Sequence, residues 1–379
     1  MPNRFTISSI SVRVAFMLLA GAVMLACVNK SEAPEDSLAT TPIRMDVMPA
    51  TRALIENDNL LKAACSPSQG GKAIGIWSSY EIDGRKVYNV LGNPTGDVAL
   101  QYIDQTEQDN YQGWTYGESA ANWTANAKYT FNAYYPMDVV DEISTSNVST
   151  FVIDYNTEIF QEDLMTAYAF ADTGVAGFNA STPVTLKMLH TLAAVRFQFS
   201  FKNPDGSTYS DSDRLTACWL ENTRAGEGIA TTAMLAFGTT WEDGTVDGEH
   251  IHWYNVDFPL PSTPTSQRTL YLWEDATGVP FSSTTSNATE GTTHSTGKGL
   301  YAKNDGWIMV IPQEMDDSVQ LCFKMASTGD LVHRISLPAT TFEAGKRHTF
   351  NVRFGQSDVG VTLKIADWNE MKSSYDIAL

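Results

Sequence analysis

The stretch "VTLKMLHTLAAVRFQFSF", residues 184–201, decides the fold class of this chain. In its second half, apolar and polar residues alternate: Val195, Phe197, Phe199 and Phe201 against Arg196, Gln198 and Ser200. A period of two places the two sets on opposite faces of an extended strand, because successive side chains of a strand point in opposite directions. The pattern therefore predicts a β-strand with one buried and one solvated face.

Similar short runs recur along the whole chain of 379 residues. They are "AIGIWSSY" (73–80), "KVYNVL" (86–91), "VALQYI" (98–103), "KYTFNAYYP" (128–136), "TFVID" (150–154), "RTLYLW" (268–273), "WIMVIP" (307–312), "VQLCFKM" (319–325), "LVHRISL" (331–337) and "HTFNVRF" (348–354). Only "ALIENDNLLKAA" (53–64) suggests a helix, of one or two turns. Many short strands separated by turns predict an all-β fold of two antiparallel β-sandwich domains in tandem. The turn-rich segment "NPDGSTYSDSD" (203–213) places the predicted boundary between residues 53–200 and 201–379.

The charge balance restricts the class of partner. The chain carries 44 acidic and 25 basic residues and a net charge of −19. Binding to phosphate backbones needs a basic face, so the sequence argues against a nucleic-acid partner. A strongly acidic, self-repelling surface is typical of a secreted protein.

The N-terminus has the pattern of a targeting segment. Basic residues without acids precede the apolar run Val14–Ala26, whose 13 residues suit a signal peptide better than a membrane span. "MLAC" at its end resembles a bacterial lipobox, which predicts a signal peptide over 1–26 and diacylglycerol on Cys27. An ordinary secretory signal followed by an incidental cysteine is the alternative.

A polar tether, residues 28–42, separates Cys27 from a short alternation, "IRMDVM" (43–48). The alternation predicts a strand, and "PATR" follows it directly. Arg52 followed by Ala53 is a cut site for a trypsin-like protease. The alternative is a linker arginine that no protease recognises.

The cleanest alternation in the chain is "VGVTLKIADW" (359–368) near the C-terminus. Val359, Val361, Leu363 and Ile365 fall on one face of a predicted strand. One interpretation is that this segment is the last strand of the protein's own fold and is never exchanged between molecules.

No residue pattern indicates catalysis, a cofactor or a metal, so an enzyme is not expected. His250 and His252 lack a third ligand, and His190 lies in an apolar run typical of a core histidine. The "GTTHSTGKG" segment (291–299) fails the phosphate-loop spacing. Two further sets give no site: the acidic turn residues Asp205, Asp211 and Asp213, which lack calcium-loop spacing, and Cys65, Cys218 and Cys322, which imply no disulfide framework.

A series of short motifs, in this order, resembles the fimbrillins, the subunits of type V pili, and their Mfa-like and FimA-like relatives. After Cys27 the motifs are "ATRA" (50–53), "YTFNAYYP" (129–136), "QEDLM" (161–165), "VTLKMLHTLAAVRFQF" (184–199), "WIMVIPQ" (307–313), "FEAGKRHTFNVRF" (342–354) and "VTLKIADW" (361–368). The departures are a loose lipobox and a short tail after Trp368.

The resemblance implies a structural subunit of a cell-surface pilus with transthyretin-like domains and a role in adhesion. The subunit would be carried to the outer membrane as a lipoprotein whose propeptide, residues 27–52, holds the first strand. An arginine-specific protease would cut between Arg52 and Ala53. A donor arm, residues 358–379, with Val359, Val361, Leu363, Ile365 and Trp368 as its apolar contacts, would then enter a neighbouring pilin subunit by donor-strand exchange. Two other functions stay open: an anchored surface lipoprotein that binds glycans, and a pilus tip adhesin.

Overall fold

The computed structural model describes the greater part of the chain. The described residues are 38–49, 58–92, 96–104, 112–117, 120–139, 151–157, 160–201, 214–224, 229–237, 241–242, 245–246, 252–257, 269–280, 307–354 and 359–367. They contain 23 strands, one α-helix, α1 (Asp58–Ala64), and three short 3-10 turns, Pro67–Gln69, Met137–Val139 and Ala326–Thr328. The all-β prediction is confirmed. In this described part, no helix has the length and apolar character needed to cross a membrane.

Ten strands lie in the first 201 residues. They are β1 (Met45–Pro49), β2 (Ile74–Ile82), β3 (Arg85–Tyr88), β4 (Val98–Ile103), β5 (Gly113–Tyr116), β6 (Lys128–Tyr135), β7 (Phe151–Asn156), β8 (Met165–Asp172), β9 (Val184–His190) and β10 (Ala193–Phe201). Eight of them form one sheet in the order β1-β9-β8-β6-β2-β4-β5, with β3 paired to β2. The strand β1 is therefore an edge strand of this sheet.

Thirteen strands follow. They are β11 (Arg214–Asn222), β12 (Thr232–Phe237), β13 (Trp241–Glu242), β14 (Thr245–Val246), β15 (His252–Asp257), β16 (Thr269–Pro280), β17 (Ile308–Val310), β18 (Gln313–Met315), β19 (Val319–Met325), β20 (Val332–Ser336), β21 (Thr340–Phe342), β22 (Lys346–Phe354) and β23 (Val359–Asp367). Two four-stranded sheets result, β17-β10-β22-β23 and β16-β11-β19-β20. A three-stranded sheet, β15-β12-β7, and two antiparallel pairs, β13-β14 and β18-β21, complete the described strands.

The apolar residues form separate cores that match these sheets. One core packs against the large first sheet and includes Phe131 and Leu186. A second lies between the two four-stranded sheets, where Phe197 of β10 and Phe350 of β22 stack with ring centroids 5.0 Å apart. Two sheets that share one core make a β-sandwich.

Two strand pairs are parallel, which the prediction of purely antiparallel sheets did not include. Strand β1 runs parallel to β9, and β10 runs parallel to β22. Parallel neighbours need long connections, and the partners here lie far apart in the sequence. Strand β10 belongs to a sheet of C-terminal strands and β7 pairs with β12, so strands from both halves of the chain mix. The division into domains at residues 200 and 201 stays a prediction.

Candidate strand-exchange site

Strand β1 is built into the large sheet. Its five residues pair in register with Val184–Met188 of β9, from Met45 opposite Val184 to Pro49 opposite Met188. Met45 and Val47 point into the core and are 5% and 0% exposed, whereas Met48 on the other face is 49% exposed. The alternation seen in the sequence therefore divides a buried face from a solvated one.

The residues just before β1 are also held by the first sheet. Ile43 is buried, its N–H donates to the Ala121 carbonyl at 2.7 Å, and its carbonyl accepts from the Tyr116 hydroxyl at 2.7 Å. Burial raises the pKa of Tyr116 to about 12, so this hydroxyl remains a donor at neutral pH. The Val184 N–H donates to the Arg44 carbonyl at 2.8 Å.

The held segment begins earlier than the sequence predicts. The tether was expected to extend to residue 42, yet Leu38 is buried, and Pro42 forms a β-bridge with Asn122. The Trp123 N–H also donates to the Thr41 carbonyl at 3.2 Å. Leu38 is an isolated apolar residue in a polar run, and this was the one sequence signal for the contact.

The C-terminal alternation forms β23, the edge strand beside β22. Nine residues pair in antiparallel register, from Lys346 opposite Asp367 to Phe354 opposite Val359. Val361 and Leu363 pack partly buried against the C-terminal core, while Ile365 is 49% exposed. An ion pair between Lys346 and Asp367 closes the end of the pair of strands. In this structure the arm therefore completes the protein's own sheet.

The two candidate segments share a physical property. Each is an edge strand with a neighbour on one side, and each presents apolar residues at every second position. An edge strand can leave its sheet without breaking a ladder on its far side. Detachment of β1 would expose the β9 edge and the pockets of Ile43, Met45 and Val47.

Several predicted site residues lie outside the described residues. These are the lipidation residue Cys27, the processing residues Arg52 and Ala53, and Trp368 of the arm. Val359 opens β23 through its backbone pairing with Phe354. The predicted cut lies in the interval between Pro49, which ends β1, and Asp58, which begins α1.

The remaining histidine and acidic candidates give no site in the described structure. His190 is buried and makes a 2.7 Å contact through Nδ1 with Oδ1 of Asp163, a partner that the sequence did not indicate. His252 begins β15, whereas His250 and the acidic turn residues 205, 211 and 213 lie outside the described residues. Among the described residues, no group of three His, Cys, Asp or Glu side chains has a metal-binding arrangement.

Three cysteines are free and buried: Cys65, Cys218 and Cys322. In the β11–β19 pair, Cys218 lies opposite Phe323 and Cys322 opposite Trp219. Neighbouring positions along a strand point to opposite faces, so the two thiols lie on different sides of the sheet. Burial raises the pKa of both Cys65 and Cys322 to about 12, which makes them unreactive as nucleophiles at neutral pH.

Comparisons with known proteins identify one family. Its sequence model, described as fimbrillin-like, matches residues 51–368. A proposed cell adhesion protein from Bacteroides uniformis is similar in structure, with a TM-score of 0.48 and 17% identity over 86% of this chain and 99% of that one. A fimbrial protein from Bacteroides vulgatus has a TM-score of 0.47 and 14% identity over 86% of this chain and 99% of that one. The search of curated proteins finds no match.

Proposed function

Because the chain belongs to the fimbrillin-like family, we propose that it is a structural subunit of a cell-surface pilus. In this proposal the precursor is a lipoprotein attached to the outer membrane through Cys27. An arginine-specific protease cuts it between Arg52 and Ala53, and the subunits then polymerise by donor-strand exchange. The observation that carries the proposal is the edge strand β1, which is buried on one face and ends three residues before Arg52.

Loss of the propeptide would leave a strongly unfavourable surface. Ile43, Met45 and Val47 are each at most 5% exposed, and burial of such side chains contributes roughly 1.5–3 kcal/mol apiece. Their removal would expose apolar pockets together with the unpaired N–H and C=O groups of β9. A solvated strand edge of this kind readily accepts another strand.

The C-terminal arm has the matching pattern. Val361, Leu363 and Ile365 repeat the two-residue spacing of Ile43, Met45 and Val47. In their own sheet these three arm residues are only partly buried or exposed, whereas the pockets left by β1 would enclose them. Transfer from β22 to the next subunit's β9 therefore gains apolar burial, which favours exchange over retention of the arm.

Exchange makes a head-to-tail contact. The accepting surface at β9 and the donating arm at β23 are different parts of the molecule, so each subunit can both receive and give a strand. A contact of this type continues indefinitely and builds a filament when its rotation does not close a ring. Other copies of this chain or related pilin subunits are the proposed partners, and no catalytic role is assigned.

The test is the N-terminus and the assembly state of the protein on intact cells. We expect a mature chain that starts at Ala53 and a ladder of polymers on unheated gels. Arg52→Ala should abolish both. Arg44→Ala is the matched control. Arg44 is an exposed arginine in the same segment, but its backbone carbonyl accepts the Val184 N–H and is held against the sheet.

Three results would contradict the proposal. Normal polymers from Arg52→Ala would refute the processing step. A surface protein that keeps residues 28–52 and stays monomeric would favour the anchored lipoprotein, and cleavage with an arm unable to enter another subunit would favour a tip adhesin.

A further inference from the structure

The large sheet opens into a cleft between β8 and β9. These neighbours pair at two positions, Met165 with His190 and Thr166 with Leu189. Beyond them, residues 167–172 of β8 pair with β6 on the other side, and residues 184–188 of β9 pair with β1. The two edges face each other across a cleft of about 1070 Å³.

Aromatic side chains line this cleft on both faces of the sheet. Tyr168 and Phe170, half-buried on β8, have ring centroids 5.9 Å apart at an interplanar angle of 62°. On the other face, which packs against the core, Trp123 and Phe178 meet edge to face at 5.0 Å. The Trp123 Nε1–H donates to the Ala180 carbonyl at 3.1 Å, which fixes the loop that follows β8 against the core.

Polar groups surround the aromatic rings. Asp172 and Asn179 line the cleft, and each is oriented by its own loop. Asp172 Oδ1 accepts from the Gly174 N–H at 2.9 Å, and Asn179 Oδ1 accepts from the Ser181 N–H at 3.0 Å. Lys187 lines the side contributed by β9.

Two features restrict the class of ligand: the charges that line the cleft, and the closure of the cleft at the end where β8 and β9 pair. One carboxylate, Asp172, and one ammonium, Lys187, offset each other in a chain whose net charge is −19, so a neutral ligand is the best match. Adjacent strands of a sheet lie about 4.8 Å apart. A peptide strand could therefore enter between β8 and β9 only where these two strands are about twice that distance apart. The pairing of Thr166 with Leu189 closes one end and excludes an inserted peptide strand there.

We propose that this cleft binds a neutral oligosaccharide. Aromatic faces pack against the C–H faces of a pyranose ring, and the carboxylate, amide and ammonium groups hydrogen-bond its hydroxyls. The volume lies just above the upper end of the range for small-molecule sites, which is about 300–1,000 Å³, and such sites combine an apolar lining with a few convergent polar groups.

The site overlaps the proposed strand-exchange site on one side only. Met48 and Pro49 of β1 and Lys187 of β9 form that side, but Tyr168, Phe170 and Asp172 lie on β8. Processing would alter the first side and leave the aromatic wall in place. Substitutions of Phe170 and Asp172 therefore test the glycan site without changing the exchanged strands.

Saturation-transfer NMR and calorimetric titration of the purified protein test the proposal. The probes are maltoheptaose, lacto-N-tetraose and mannopentaose as neutral oligosaccharides, with sialyllactose as the charged comparison. We expect binding of at least one neutral probe, weakened about tenfold by Phe170→Ala because it removes an aromatic anchor. Asp172→Asn, which keeps the shape of the loop, should also weaken it.

Tyr88→Ala is the matched control, since Tyr88 is a 43% exposed aromatic residue on β3, outside the cleft. It should bind as the unaltered protein does, and Phe170→Ala should still polymerise. The proposal is wrong if no neutral probe binds at millimolar concentration or if sialyllactose alone binds. It is also wrong if Phe170→Ala and Asp172→Asn both retain full affinity, and thermal melting of each variant establishes that it is folded.

Discussion

The substitution Val47→Ala should destabilise the precursor and leave the assembled filament unaffected. Val47 is 0% exposed and sits in the centre of β1, opposite Leu186 of β9. The change removes two methyl groups at about 0.8 kcal/mol each, and the cavity left behind raises the cost to roughly 2–3 kcal/mol. In a filament made by strand exchange, β1 is gone and the substitution has nothing to act on.

The assay compares two forms of the same variant. Urea unfolding of the uncleaved precursor, held intact by Arg52→Ala, should show a lower midpoint with an unchanged slope. The dissociation temperature of polymers in detergent should match that of the unaltered protein. Met48→Ala is the control on the same strand, because Met48 is 49% exposed and should change precursor stability by less than about 0.5 kcal/mol.

Two outcomes would refute this reasoning. An unchanged unfolding midpoint of the Val47→Ala precursor would show that β1 contributes no burial to the fold. Polymers weakened as much as the precursor would show that β1 remains in the assembled subunit, so that no strand has been exchanged.

Three further predictions follow from the same structure. Leu363→Asp should abolish polymer ladders, because a carboxylate cannot be buried in the β1 pockets, whereas Lys364→Asp on the exposed face should polymerise normally. Burial lowers the pKa of His348 from 6.5 to about 4, so the histidine remains neutral in the fold; stability should fall as pH drops from about 6.5 towards 4, by on the order of 3 kcal/mol, and pH-dependent urea unfolding should show this loss reduced in His348→Phe. Asp163→Ala should cost roughly 1–3 kcal/mol of stability in thermal or urea unfolding, because it removes the 2.7 Å partner of buried His190; an unchanged midpoint would contradict this role.

The sequence predicted the strands well because the two-residue alternation is a local property. Residues 43–48 were expected to be a strand and form β1 at Met45–Pro49, and the run from Val184 to Phe201 forms β9 and β10. The short helix near residues 53–64 is present as Asp58–Ala64. For the strands, the order of apolar and polar residues directly determines which alternate side chains are buried.

The strand partners were not predictable in the same way. Nothing in residues 43–48 indicates a parallel pairing with β9, about 140 residues away. The Asp163–His190 pair and the Tyr116–Ile43 hydrogen bond likewise join segments that only the fold brings together. Pairings between distant segments are set by how sheets close around a core, which one strand's pattern does not contain.

The most direct test of the central claim is where β23 lies in the protein on the cell surface. Thr349 and Lys364 are opposite each other in the β22–β23 pair, so cysteines at these positions should cross-link within one chain before assembly. If Leu363 takes the place of Met45, Lys364 takes the place of Asp46, which lies opposite Thr185 of β9. Cysteines at Lys364 and Thr185 should therefore cross-link between chains after assembly, and strand exchange predicts that surface filaments contain this link. Surface filaments in which the Lys364–Thr349 link forms within every chain and the Lys364–Thr185 link never forms would contradict it.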